Sequence, residues 1–205
     1  MSTFAEIWDG TSWALEQMPN PSGLTIRLPS VSCTSSVHCI AVGLYTMNGT
    51  QQATAELWDG KKWQVMVTPS AVPAPLLGVD CVAADDCTAV GADAARAPDT
   101  LVETWNGMTW TVVPSAAPVG DADFRLNSVS CPTATACLAV GQSNVDSPTN
   151  AAEVWDGTAW TMVPPLNPSG TDLLSSVSCS SPTACTAVGE DSVSPTELLV
   201  ERYLP

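Results

Sequence analysis

The sequence predicts an all-β fold: a small β-propeller of four blades, each of four antiparallel strands, with one blade closed by both termini. Three observations carry this reading. A Glu-x-Trp-Asp/Asn-Gly-x-x-Trp string occurs four times, at steps of 47 to 50 residues. A Cys-x5-Cys-x-Ala-Val-Gly string alternates with it, also four times. No stretch has helical periodicity, and a ~50-residue unit of four short strands has the period of a propeller rather than of leucine-rich or helical repeats.

Each unit reads as strands A to D. Val31-Ser32-Cys33 and its copies form strand A, and Cys39 to Gly43 and its copies form strand B. Strand C ends on Glu-x-Trp, and strand D begins at the second Trp. The units span approximately 31–66, 79–114, 127–163, and 177–203 combined with 3–18, within a single repeat domain covering 1–205. The last pairing follows because residues 4–18 supply C and D, while the C-terminal segment supplies A, B and a decayed C ending Glu201-Arg202-Tyr203. One strand C is therefore surplus. Either residues 3–8 or residues 198–203 are expected to pair outside the four-strand blade, or with a neighbouring molecule.

Strands C and D are expected to join through a two-residue type I′ turn at Asp9-Gly10, a favoured hairpin dipeptide. Trp8 then lies opposite Thr11 and Glu6 opposite Trp13. Strand alternation puts Glu6, Trp8 and Trp13 on one sheet face, as it does Glu56, Trp58, Trp63; Glu103, Trp105, Trp110; and Glu153, Trp155, Trp160. These twelve residues are read as the repeat core. The indoles fill the wedges between blades, and each Glu accepts a hydrogen bond from an amide or an indole. Sugar-stacking platforms are the functional alternative for the indoles. Equal carboxylates around a ring are not the single differentiated pair that acid–base catalysis requires.

All eight cysteines fall on repeat positions. Five residues separate each pair across an A–B hairpin mouth, within reach of disulfide geometry. Four local bridges are expected: Cys33–Cys39, Cys81–Cys87, Cys131–Cys137 and Cys179–Cys185. Paired thiols point to an oxidising compartment, hence an extracellular or cell-surface setting, although the start of the chain carries no visible secretory signal. Zinc would need four converging ligands, and the only histidine, His38, lies inside a bridged loop. No cofactor or metal is expected.

The chain has 21 acidic and 6 basic side chains, for a net charge of −15. That charge repels phosphate backbones and anionic membranes, and no apolar run reaches the ~20 residues needed for a membrane helix. Nucleic-acid binding and membrane insertion are excluded.

The strings Leu101 to Trp110 and Ser128 to Gly141 resemble repeats of actinobacterial, mostly exported proteins that are predicted propellers without an assigned activity. The resemblance covers nearly the whole chain, implies fold and export, and carries over no catalytic residue. A looser similarity links the chain to kelch-type and Trp-rich lectin propellers, without the kelch double glycine.

Function is expected in the loops that differ between copies. The B–C loops are 44–54, 92–100, 142–150 and 190–195, and the D–A links hold Arg27, Phe124 and Asp172. Candidate ligand contacts are Asp93, Arg96, Asp99, Asp121, Asp123, Arg125 and Asp146. Gly120-Asp121-Ala122-Asp123 lacks the remaining spacing of a calcium loop, and Asn48-Gly49-Thr50 is a glycosylation sequon. The reading is a non-enzymatic binding module for glycans or proteins, acting as a monomer or strand-exchanged dimer. The alternatives are a cyclase- or lyase-type enzyme with one site at the channel, and a structural repeat scaffold.

Overall fold

A computed structural model of the chain describes residues 3–20, 24–69, 74–92, 100–116, 124–143, 149–164, 172–191 and 197–203. Among these there is no helix. Three four-stranded antiparallel meanders follow one another: β3 (Thr25–Ser35) to β6 (Trp63–Met66), β7 (Leu76–Ala83) to β10 (Trp110–Val112), and β11 (Phe124–Thr133) to β14 (Trp160–Met162). Between them run β4 (His38–Met47), β5 (Thr50–Trp58), β8 (Asp86–Ala92), β9 (Thr100–Trp105), β12 (Ala136–Ser143) and β13 (Thr149–Trp155). A fourth sheet has three strands, β15 (Asp172–Ser181), β16 (Ala184–Asp191) and β17 (Glu197–Tyr203). The inner strands stack in series, β3 on β7, β7 on β11 and β11 on β15. This is a small four-blade propeller arrangement.

The closing blade differs from expectation. β1 (Phe4–Trp8) and β2 (Trp13–Gln17) form a two-stranded sheet of their own, and no described strand joins them to β15–β17. The reason is the surplus strand C: β17 pairs along β16 from Cys185↔Tyr203 to Asp191↔Glu197, so β1 has no edge of β16 to take. The hairpin instead seats Ala5 and Ile7 on the first blade, against Ala41, Trp58 and Trp63. Residues 3–8 thus pair outside a four-strand blade.

The C–D turns are also corrected. Trp8 lies opposite Trp13, and Glu6 opposite Leu15. Asp9 to Ser12 form a four-residue link rather than a two-residue turn. A type I′ turn needs positive φ at both central residues, but only Gly10 has it, at 100°. The Asp9 carboxylate decides the geometry by accepting the Thr11 and Ser12 amides at 2.7 and 2.8 Å. Asn106 Oδ1 does the same for Met108 and Thr109. The two-residue turn occurs instead at Asn48-Gly49, with φ of 52° and 82°, between Met47 and Thr50 of β4 and β5. The longer C–D link makes each Trp pair direct cross-strand neighbours, with centroids 5.5 to 5.9 Å apart.

Packing follows from these registers. Trp58, Trp105 and Trp155 each donate the indole N–H to an A–B turn carbonyl of their own blade, on Ser36, Ala84 and Ala134, at 3.2 Å. Their partners Trp63, Trp110 and Trp160 are buried in the wedge toward the preceding unit. Truncating such an indole to Ala costs about 3–5 kcal/mol. Cys131–Cys137 and the three equivalent bridges close the A–B hairpins, with Cα atoms 4.0 Å apart.

Near the axis a second interaction binds blade to blade. Strand A pairs only with strand B, so its other edge must find acceptors elsewhere. The amides of Val79 and Cys81 donate to Ser30 and Ser32 Oγ, and those of Val177 and Cys179 to Ser128 and Ser130 Oγ, at 3.0 to 3.2 Å. Cys131 N–H donates to Asp80 Oδ2 at 2.7 Å. Each strand A is also bulged, for example between Leu126 and Ser128. The bulge drives its backbone onto strand B, so a Cβ on Gly141 would stand 1.9 Å from the Arg125 carbonyl oxygen. Gly43, Gly91 and Gly189 meet the same contact at 1.8 to 2.0 Å, which explains the glycine that ends every Ala-Val-Gly.

Three strand-C glutamates are wholly buried: Glu56, Glu103 and Glu153. Glu153 accepts from Ser115 Oγ at 2.7 Å and from the Ala116 amide at 3.1 Å, yet burial still raises its pKa. The Glu56 carboxyl oxygens have no partner among the described residues, and burial pushes its pKa up from 4.5 to about 7.

Two outcomes follow from this packing. Gly141→Ala must force the bulge apart and should destabilise the fold by about 3 kcal/mol in denaturant titration, near the upper end for overpacking. Because Glu56 binds its proton more tightly folded than unfolded, it contributes most below pH 4.5, and that contribution is lost as pH rises toward 7. Glu56→Gln should therefore gain in melting temperature over the parent between pH 5 and pH 8, by of order 2 kcal/mol of stability. Parallel pH curves for the two proteins would contradict the assignment.

Candidate functional site

Clefts lie where successive units meet, two of them beside the first blade. The first, about 400 Å³, opens at the outer rim between the first and second blades. β6 and its continuation supply Gln64, Val65 and Val67, while the β9–β10 hairpin supplies Trp105, Met108 and Trp110. Val67 follows β6 and Met108 sits in the C–D link of the second blade, and they are 90 % and 81 % exposed. Trp105 is half-buried, with one end fixed on the Ala84 carbonyl. Gln64 and Thr109 are the polar side chains of the described lining. Gln64 is committed in part, donating Nε2–H to Asp59 Oδ2 at 2.6 Å. The arrangement can clamp an apolar group against an indole, and no acid–base pair stands among the described lining residues.

The second cleft, about 500 Å³, runs between the β1–β2 hairpin and strand A of the first blade. Ile7 and Met18 form one wall, Ser30 and Val31 the other, and Trp58 the floor. Its lining is also largely apolar.

The charges nearest the rim are those of the C–D links. Hydrogen bonds from Thr11 and Ser12 hold the Asp9 carboxyl well below the usual range, and the Lys62 and Lys61 amides do so for Asp59. For Asp156 the Thr158 hydroxyl is the largest cause, with the Ala159 and Thr158 amides adding to it. The Asp9, Asp59 and Asp156 carboxyls are therefore ionised throughout the neutral range, while Lys61 and Lys62 offset Asp59 in its own link.

Of the seven loop residues expected to contact ligand, Asp93, Arg96, Asp99, Asp121, Asp123 and Asp146 lie outside the described residues. Arg125 is described: it stands exposed near the start of β11, opposite Gln142. Arg125 does not line the rim cleft. The cleft's exposed hydrophobics, Val65, Val67 and Met108, are not legible in the sequence, because single apolar residues in a strand D or a turn carry no motif. The one available signal is that Met108 stands where the other copies have Thr11, Lys61 and Thr158. Asn48 of the sequon sits at the exposed β4–β5 tip. No group of three metal-ligating side chains occurs among the described residues.

No family model matches the chain, and neither does any curated protein. Solved structures do. YCF48 bound to D1 peptide superposes with a TM-score of 0.53 at 12 % identity, over 93 % of this chain and 57 % of that one. A mutant Aleuria aurantia lectin in complex with Fucalpha1-6GlcNAc gives 0.55 at 11 % identity, over 98 % and 71 %. A subtype N11 neuraminidase-like protein of A/flat-faced bat/Peru gives 0.53 at 13 %, over 98 % and 60 %. The chain thus spans 57 to 71 % of the length of these structures. What it shares with them is the β-propeller fold.

Proposed function

We propose that the chain is a non-enzymatic binding module whose rim cleft holds a protein segment, an apolar side chain on a basic background. The observation that carries this reading is the cleft between β6 and the β9–β10 hairpin, where a fixed indole is ringed by exposed Val65, Val67 and Met108. Exposed apolar clusters of this kind mark interaction surfaces. A sugar would need several hydrogen-bond partners for its hydroxyls, or leave them buried and unpaired. The two polar side chains among the described lining, Gln64 and Thr109, do not meet that need, which favours peptide over glycan.

The charge of −15 supplies the second half of recognition, since an acidic surface steers basic partners and repels acidic ones. Asp93, Asp99, Asp121, Asp123 and Asp146 belong to this reading as the outer contacts of a basic segment, with Arg96 and Arg125 limiting its register. YCF48, which shares the fold, was solved bound to a peptide, and the Aleuria lectin bound to a glycan. The four bridges suit an oxidising extracellular or cell-surface setting.

The test is parallel titration of the folded protein against an array of basic peptides with apolar anchors and an array of glycans. Peptide binding should weaken with salt and fall at least ~10-fold in Met108→Asp, a loss typical of an interface anchor. Met108 is exposed, so its replacement should leave the melting temperature unchanged. Glycan binding without peptide binding, or a Met108→Asp variant that binds as the parent does, would overturn the reading.

A further inference from the structure

The repeat allows each surface to be compared with its copies, and three positions break the pattern. Val31 is 59 % exposed, while its copies Val79, Val129 and Val177 are 6 to 7 % exposed. On the opposite face of the last blade, Val188 and Val200 are 43 % and 62 % exposed. Their copies on the first three blades, Val42, Val90, Val140 and Ala55, Val102, Ala152, are buried.

The unsatisfied hydrogen-bonding positions fall in the same places. Val79, Cys81, Val177 and Cys179 give their amides to serines of the preceding strand A. The equivalent amides of Val31 and Cys33 have no such acceptor among the described residues. At the other end, Ser176 and Ser178 are exposed on β15 and occupy the places of Ser30 and Ser32. One end presents an edge that needs Ser-x-Ser, and the other presents the Ser-x-Ser.

The cleft beside β3 has the matching shape. It is bounded by the seated β1–β2 hairpin, which occupies the strand C and D places of a blade, and by Ser30, Val31 and Cys33 of the first blade. The A and B places of that blade are the cleft. We infer that a second copy of this chain fills it with β15–β16. Ser176 and Ser178 then accept the Val31 and Cys33 amides, and Val188 covers the first blade as Val42 covers the second. The exposed Trp8 gains the one partner its three copies have, an A–B turn carbonyl, here that of Pro182.

The exchange requires β1 to replace β17 on β16. β1 carries the full Glu6-Ile7-Trp8 motif and arrives already paired with a strand D, whereas β17 carries Tyr203 in the Trp place and pairs with no strand D among the described residues. A second copy, rather than the same chain, supplies the strands. Three packed wedges in series separate β15 from β3, and β15 is not among the described strands packed on β3. Two chains joined reciprocally form one ring of eight blades, within the size range of propellers. The interface repeats the internal wedge, so it is heterologous, with different patches meeting.

Sedimentation velocity tests this directly. The parent protein should reach twice the 21.3 kDa chain mass as its concentration rises. Val31→Arg blocks the cleft and Ser178→Arg blocks the inserted strand, and both sites are exposed in the single chain, so circular dichroism should report folded monomers for each. Mixing the two variants leaves one intact cleft and one intact strand pair, and should restore a species of twice the chain mass. A parent that stays at 21.3 kDa, variants that still dimerise alone, or a mixture that stays monomeric would each overturn the inference.

Discussion

The crowding of backbones at strand A is the constraint on which the rest depends. One edge of that strand pairs with strand B, and the other faces the axis, where no described strand pairs with it. Its amides still require acceptors. The protein provides them from serine hydroxyls, or Asp80, one blade away. That solution demands close approach, which demands the bulge, which in turn demands the glycine at 43, 91, 141 and 189. The short side chains of Ala-Val before it let the next blade come within reach.

The outer half of each wedge is filled by a different means. There the sheets diverge, and a tilted pair of indoles takes up the volume. One indole of each pair ties down the disulfide-closed turn of its own blade, and the other packs on the blade before. The polarity of the structure follows: every unit has a Trp face and a Ser-Val face, and neither is self-complementary. A row of such units always ends with one of each exposed. The rim clefts arise at the same divergence, where the outermost strands part and leave Val65, Val67 and Met108 beside Trp105.

The buried glutamates show how repetition and local context part company. Glu56 and Glu153 occupy the same place in their blades, but a serine and an amide of the incoming link reach Glu153, and Glu56 has neither among the described residues. In the link that precedes Glu56, Asn20 spends its side chain on Thr3 and Met18, holding the base of the β1–β2 hairpin. One blade thus carries a desolvated carboxyl that the other has stabilised.

The sequence by itself determined the strand order within a unit, the four disulfides and the glycine positions. All of these depend on residues close together in the chain, and fourfold repetition makes them visible. It misled at the Asp-Gly link, because a dipeptide rule weighs backbone preference and omits the carboxylate that captures two amides of the same link. Tertiary structure alone decided which of two strand-C copies pairs with β16. Glu6-Ile7-Trp8 and Glu201-Arg202-Tyr203 carry the same local pattern, so only the competition for one sheet edge separates them. It also decided the rim cleft, whose apolar residues come from two blades and acquire meaning only when those blades are side by side.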